Sequence, residues 1–402
     1  MKKKILVLTS IYLGEDIPKE FTPVVHYFSK EWVKMGHEVL VVHNLAYYPR
    51  FFYLISFFFS KLIASYTGTN IPKKRLANEK EYNVNGVKVF RLPMFKLFPH
   101  FKFSKNTFQN QNFKILEKLV STNFKPDYII GHWANPQLEL LNSLKSNLPT
   151  AKTALVMHDS GEALLKLYKK EITKLIESID VWGFRSLPIK NKFESIFGKR
   201  ENTFMCYSGI PKEYTTQKIN KKFKDKLTSF VFVGTLIKRK YPIKIIEALN
   251  MVYEDNNFIL NYIGEGNESK KIKTIIGKKN LEGCVTLNGF LSREKIQNIM
   301  LATDCFIMIS KNEAFGLVYL EAMAAGCITI ASKGEGFDGV IKHGVNGFLC
   351  EAGNEFELAD VIKKINSLCL DEKILISRNA VLTASQLTNY NAAKLYLNNL
   401  EY

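Results

Sequence analysis

The feature that most constrains this chain occurs twice. Ile5–Thr9 is a short apolar run rich in β-branched residues, followed by the loop SIYLGEDIPKEFTP. VVHYFSKEWVKMGH then places apolar residues at helical spacing up to Gly36, and EVLVVH (Glu38–His43) reads as a second strand. Continuous apolar runs of this length suit strands buried on both faces. A strand, loop, helix and parallel strand in succession open a doubly wound sheet. At Thr228–Gly234 (TSFVFVG) the pattern starts again, with a helix over Pro242–Tyr253, a strand over Phe258–Ile263 and a glycine turn. Further strands are expected at Tyr128–Gly131 and Ala154–His158, then at Val285–Leu287, Cys305–Ile309, Cys327–Ala331 and Gly347–Leu349. The chain therefore reads as α/β, with two Rossmann-like domains over residues 1–211 and 227–378. The lysine-rich stretch Lys212–Lys226 joins them, and Asn379–Tyr402 is helical and expected to pack back on the first domain. Open α/β sheets bind ligands outside the carboxyl ends of their strands, so a cleft between the two halves is where the chemistry is expected.

Of 402 residues, 46% are hydrophobic and 23% charged, which excludes a disordered or fibrous chain. The net charge of +18 is uneven: residues 1–213 hold 32 basic and 18 acidic side chains, and residues 214–402 hold 24 and 20. A basic half attracts polyanions such as an anionic membrane surface or a phosphorylated substrate. No nucleic-acid-binding motif accompanies the charge, so nucleic acid is not expected as a partner. The six cysteines form no C-x-x-C pair and no Cys/His cluster at zinc-ligand spacing, which fits a reducing cytoplasm. The start, MKKKILVLTS, has too short an apolar run for a secretory signal and reads as a first strand.

The strongest chemical pattern is SKNEAFGLVYLEAMAAG (Ser310–Gly326), which follows the apolar run CFIMI. A turn at Ala314–Gly316 and a helix over Leu317–Ala325 would place the backbone N–H groups of Phe315, Gly316 and Leu317 at a helix N-terminus, where an anion can sit. Glu313 precedes the turn and Glu321 lies one turn inside the helix, so two carboxylates could accept from hydroxyls at opposite ends of one ligand. The plainer alternative makes Glu313 a capping acid and Glu321 a solvated helix residue. In the second pattern a strand ends at Gly234, the loop carries Lys238, Arg239 and Lys240, and Pro242 opens a helix. Cations in such a loop suit a pyrophosphate, although a solvated basic loop reads the same way.

EAFGLVYLEAMAAG resembles the E-x-F-G-x-x-x-x-E-A-M-A-x-G signature of the family 4 (group 1) retaining glycosyltransferases, which have the GT-B fold. The resemblance spans nearly the whole chain and is densest from Ser229 to Gly353, where ITIASKGEGFDGVIKHGVNGFL is similar to the stretch after the signature. It implies that Glu313 lies against the donor sugar, that Glu321 binds the nucleotide ribose, and that the Phe315, Gly316 and Leu317 amides meet sugar or phosphate. FVGTLIKRK resembles the family's G-R-L-x-x-x-K and implies a diphosphate held at Gly234 and Lys240. Thr235 stands where an arginine is usual, with Arg239 or Lys238 as the nearby replacement. YIGEGNE resembles the G-x-G-P-E turn. VTLNGFLSREKI resembles the stretch whose backbone pairs with the base, implying Phe290 and Leu291.

In the first half, His132 and His158 both end apolar strands, where histidines are often structural. The resemblance implies that His158 faces the donor sugar; His132 and Asp159 are acceptor-side candidates, and Asp159 could orient an imidazole. The first loop, with Gly14, matches the family's acceptor loop without its glycine pair. Arg185 and Ser186 end another strand. Tyr47–Tyr66 is unusually aromatic, yet its uncharged run Phe51–Ser60 is too short to span a bilayer. It reads as a buried helix or an interfacial segment, and KLFPHFKFSK (96–105) adds aromatics interleaved with lysines.

The activity implied is a retaining, hexosyltransferase-type transfer from a nucleotide diphosphate sugar to a hydroxyl of a glycan or lipid-linked acceptor. The setting would be surface polysaccharide or glycolipid synthesis at the cytoplasmic face of an anionic membrane. No cofactor or obligatory metal is implied, and no D-x-D pair is present. A nucleotide-sugar 2-epimerase of the same fold, a non-catalytic sugar-binding protein and a soluble transferase are the alternatives.

Overall fold

The computed structural model describes residues 2–17, 23–53, 74–99, 101–216 and 219–401. The chain divides into two compact units. The first comprises Met1–Arg185, Ile189–Cys206 and Ala393–Tyr402; the second comprises Ser186–Pro188 and Tyr207–Ala392.

The first unit is built on strands β1 (Lys4–Thr9), β2 (Glu38–His43), β4 (Lys80–Val84), β5 (Val87–Arg91), β7 (Tyr128–His132), β8 (Lys152–Met157), β9 (Val181–Phe184) and β10 (Thr203–Met205), with a small pair from β3 (Ala46–Tyr47) and β6 (Met94–Phe95). The main sheet runs β10-β9-β8-β7-β1-β2-β5-β4. β1, β7 and the inner residues of β2 and β8 are almost wholly buried, because helices cover both faces. The antiparallel edge pair β4–β5 was not foreseen, though Asn85–Gly86 signals it. Both residues have positive φ, 52° and 82°, the geometry a two-residue hairpin turn demands.

The second unit holds six parallel strands: β11 (Ser229–Val233), β12 (Ile259–Ile263), β13 (Val285–Leu287), β14 (Cys305–Ile307), β15 (Ile328–Ser332) and β16 (Phe348–Cys350). Their order is β13-β12-β11-β14-β15-β16, so the order in which the chain adds strands reverses between β11 and β14. That reversal opens a crevice between the loops leaving those two strands. Phe230, Val231, Phe306, Ile307 and Ile330 form the centre of the core.

Two boundaries differ from the sequence reading. The lysine-rich stretch is part of the second unit, not a free linker. Phe223 and Leu227 are buried there, and Lys221 Nζ donates to the carbonyls of Met300 (2.8 Å), Leu301 (2.8 Å) and Thr303 (2.5 Å) at the end of the helix Arg293–Ala302. A cation there offsets the negative helix end. The C-terminal stretch is two helices, Leu370–Gln386 and Asn389–Glu401. The break serves a backbone bridge: Ile210 N donates to Leu387 O (3.0 Å), and Asn389 N donates to Ile210 O (2.8 Å). From Ala393 onward the last helix belongs to the first unit, where Trp32 Nε1 donates to Ala393 O at 2.9 Å.

Of the aromatic segment Tyr47–Tyr66, residues 54–66 lie outside the described residues. Among the described residues, no helix is long and apolar enough to cross a membrane.

Candidate active site

In the second unit the site forms at the switch point. Gly234 follows β11, and the loop turns through a short 3-10 helix, Lys238–Lys240, into the helix Pro242–Val252. The loop after β14 carries Glu313 and leads through Gly316 into the helix Leu317–Ala324. The two loops are tied together where Lys311 N donates to Arg239 O at 2.7 Å.

Glu313 faces both cations. Its Oε2 lies 3.6 Å from Arg239 Nη1 and 3.8 Å from Lys240 Nζ, beyond hydrogen-bond range, and this buried oxygen has no hydrogen-bond partner. A buried acceptor left unmatched is costly unless a ligand completes it. Lys240 is held below its ordinary pKa by burial and by the neighbouring Arg239, against the opposing pull of Glu313. Gly234 makes room for it: with φ at 152°, a Cβ there would fall 2.8 Å from the ammonium. Arg239 is thus the second cation beside Glu313, whereas Lys238 is exposed and has no ion pair among the described residues.

The turn after Glu313 is shaped by a loop whose role the sequence did not disclose. Glu335 Oε2 accepts from Glu313 N at 2.9 Å. A Cβ on Gly336 would lie 2.3 Å from Glu313 O and 2.6 Å from Phe315 N, so only glycine lets the two backbones meet. The K-G-E-G pattern at 333–336 was the available signal, but it does not say which backbone approaches. Phe315 turns its ring into the core and stacks on Tyr207 (centroids 5.5 Å apart, planes at 26°). What it leaves at the loop is its backbone, which stands with those of Gly316 and Leu317 at the helix start.

Glu321 occupies different surroundings. It borders a small cavity with Tyr214, Arg293, Ile296, Gln297 and Met300, and does not share the cations of Glu313. Burial raises its carboxyl pKa, and Arg293 only partly offsets this. Glu321 is thus a half-buried acceptor, not a solvated helix residue. Phe290 is 75% exposed and follows Gly289, whose carbonyl accepts from Gly264 N at 2.7 Å; this pairing fixes the backbone just before Phe290 and Leu291.

The first unit brings its two histidines together. His132 Nδ1 and His158 Nε2 are 3.1 Å apart, and the His158 ring lies flat on Trp133 with centroids 3.9 Å apart. Burial pushes the His132 pKa down to about 3 and holds that of His158 well below its ordinary value, with Arg185 adding repulsion. Asp159 does not orient an imidazole: its Oδ1 accepts from Gly161 N at 2.8 Å, at the start of the helix Glu162–Tyr168. Gly14 sits in a tethered loop, where Tyr82 donates to Leu13 O at 2.6 Å and Arg91 pairs with Asp16 at 2.7 Å. Arg185 is buried and donates to Cys206 O at 2.6 Å, a packing role.

Residues 213–377 match the model of a family described as glycosyl transferases group 1. An uncharacterized glycosyltransferase of Methanocaldococcus jannaschii is 29% identical over 316 residues, covering 74% of this chain and 79% of that protein. The amylovoran biosynthesis glycosyltransferase AmsK of Erwinia amylovora is 27% identical over 270 residues, 63% of this chain and 65% of that protein. Among solved structures, Anabaena HepE in complex with UDP shares the fold, with a TM-score of 0.64 at 19% identity over 99% of each chain.

Proposed function

We propose that this chain, a group 1 glycosyltransferase by its residues 213–377 and of the GT-B fold, moves a hexosyl unit from a nucleotide diphosphate sugar to a hydroxyl of a glycan or lipid-linked acceptor with retention at the anomeric carbon. The observation that carries this reading is the buried, unmatched Oε2 of Glu313 beside two cations at the sheet's switch point. Breaking the glycosidic bond leaves negative charge on the diphosphate. Lys240, Arg239 and the amides of Gly316 and Leu317 stabilise that charge as it develops. Glu313 takes the sugar hydroxyls, and its charge favours an electron-poor anomeric carbon. Glu321 accepts from the ribose, and the backbone at Phe290 and Leu291 meets the base. His158 holds the sugar, while His132 and the Gly14 loop stand on the acceptor side. No residue here is assigned to a metal, and the diphosphate charge is met by side chains and amides.

The acceptor is lipid-linked or a growing glycan in surface polysaccharide or glycolipid synthesis, reached at the cytoplasmic face of an anionic membrane. Support comes from the basic first half and from aromatics that the first unit leaves exposed. Phe51 stacks on Phe52, Phe52 meets Phe98 edge-on, and Phe98 meets Phe101, with centroids 4.4, 5.6 and 5.4 Å apart. Phe51, Leu97, Phe98 and Phe101 are exposed, and Arg75 lies over the Tyr47 ring nearby. Aromatic rings among cations suit the headgroup layer of a bilayer.

A thermal-shift panel of nucleotide sugars tests the reading. A donor at 100 times its dissociation constant adds about 2.7 kcal/mol to stability. One nucleotide sugar is expected to raise the melting temperature clearly above the rest, and its transfer product is expected with an acceptor extract. A flat panel would reject the function.

A further inference from the structure

A row of hydrogen-bonded side chains in the first unit ends at His158. It begins at Tyr396, which is 1% exposed on the last helix. The Tyr396 hydroxyl lies 3.3 Å from His132 Nε2 and has no other hydrogen-bond partner among the described residues. A buried hydroxyl donates where an acceptor is in reach, so its proton goes to His132 Nε2. A neutral imidazole accepting at Nε2 carries its own proton on Nδ1. That N–H points at His158 Nε2, 3.1 Å away. His158 accepts there, and its own proton must then sit on Nδ1. Burial favours the neutral form of both rings. Stacking on Trp133, with planes 16° apart, fixes the plane of the His158 ring. Nδ1 of His158 has no hydrogen-bond partner among the described residues.

We propose that Tyr396 and His132 are positioning residues that lock His158 in the Nδ1–H tautomer, so that it offers a hydrogen-bond donor to an oxygen of the sugar substrate. The assignment of His158 to the sugar rests on the function proposed above; the relay does not. The consequence is a choice of ligand chemistry. An N–H is matched by a sugar hydroxyl, a ring oxygen or an oxyanion, whereas a bare imidazole nitrogen would accept only from a hydroxyl or amine. The last helix thereby has a role in the site beyond its packing, since it delivers the hydroxyl that sets the direction of every bond in the row.

The test uses the full chain with 15N-labelled histidine. Long-range proton–nitrogen correlation spectra should show His158 as the Nδ1–H tautomer. Tyr396→Phe keeps the ring against Phe28 and Trp32 (5.3 and 5.2 Å between centroids) but removes the donor. In that variant the Nε2–H form of His158 should appear, and kcat/KM for transfer should fall about tenfold, as expected for one misdirected hydrogen bond. His158→Asn keeps an N–H near the Nδ1 position and cannot sense the relay. In that background Tyr396→Phe should cost less than about twofold, a coupling that a packing role would not produce. A wild-type His158 in the Nε2–H form, or one unmoved by Tyr396→Phe, overturns the relay. So does an equal loss from Tyr396→Phe in both backgrounds. A tautomer that shifts as stated while transfer stays unchanged upholds the relay and removes His158 from the sugar.

Discussion

The two units carry related sheets, yet the loops at their strand ends are chemically opposite. In the second unit the edge is ionic: Lys240 and Arg239 stand within 4 Å of Glu313, and glycines bring backbone N–H groups close. In the first unit the central strands end in His132 and His158, stacked among Trp133, Phe28 and Tyr396 and held neutral by burial. An ionic edge pre-arranged before the ligand arrives stabilises charge that develops during reaction. A neutral, aromatic edge suits hydroxyls and sugar faces and offers no cation to a diphosphate. On the function proposed above, the charge of the leaving diphosphate falls to the ionic edge.

The contrast is open to attack, beginning where the effect should be largest. Lys240→Met is expected to lower kcat by about 10²–10³, the usual cost of removing one donor aimed at developing charge. Steady-state transfer assays would show this, and a loss below tenfold would remove Lys240 from the chemistry. Gly336→Ala should come next. Its Cβ would strike the backbone at Glu313–Phe315, and overpacking of this kind costs about 1–3 kcal/mol. A lowered melting temperature accompanied by weakened nucleotide binding is the expected pair of results.

Glu321→Gln sharpens the comparison through pH. The folded-state pKa of Glu321 is raised, so the folded chain holds that proton more tightly than the unfolded one. The stability this confers is full below the ordinary carboxylate pKa and is lost as pH rises through the raised value. Gln removes that loss, and the unliganded variant should melt higher at neutral pH. On the proposed role, ribose binding uses the ionised carboxylate, so nucleotide affinity should fall as pH drops through the same value. In the Gln variant that acid limb should vanish, with affinity about tenfold lower at neutral pH. At the alkaline end, Lys240 loses its charge at a lower pH than an ordinary lysine, so diphosphate affinity should decline early there. His132 and His158 should add no step between roughly pH 5 and 8, where an ordinary histidine titrates.

The smallest effect concerns the membrane. Phe98→Ser with Phe101→Ser should reduce flotation with anionic vesicles by about threefold while leaving transfer to a soluble acceptor unchanged. Equal flotation would place the lipid contact elsewhere.

Much of this was legible in the residues. The strands Glu38–His43 and Val285–Leu287 stand where their apolar runs place them, because a buried parallel strand declares itself locally. The Glu313–Glu321 spacing marked a turn and a helix that are both present. What escaped the reading depends on distant parts of the chain. Gly336 matters because of a backbone some twenty residues earlier in the fold's ordering, a close approach no local pattern encodes. Tyr396 reaches His132 across a separation of 264 residues, and Asp159 turned from the histidine to the nearest amide, Gly161. Lys221 reads as linker charge because the helix end it caps lies some eighty residues further along the chain.

Isothermal titration of nucleoside diphosphates into the wild-type chain, Lys240→Met and Tyr396→Phe tests the division most directly. At least one nucleoside diphosphate should bind the wild type, bind Lys240→Met at least about tenfold more weakly, and bind Tyr396→Phe unchanged. Equal affinity for wild type and Lys240→Met, or binding that weakens in Tyr396→Phe instead, would contradict it.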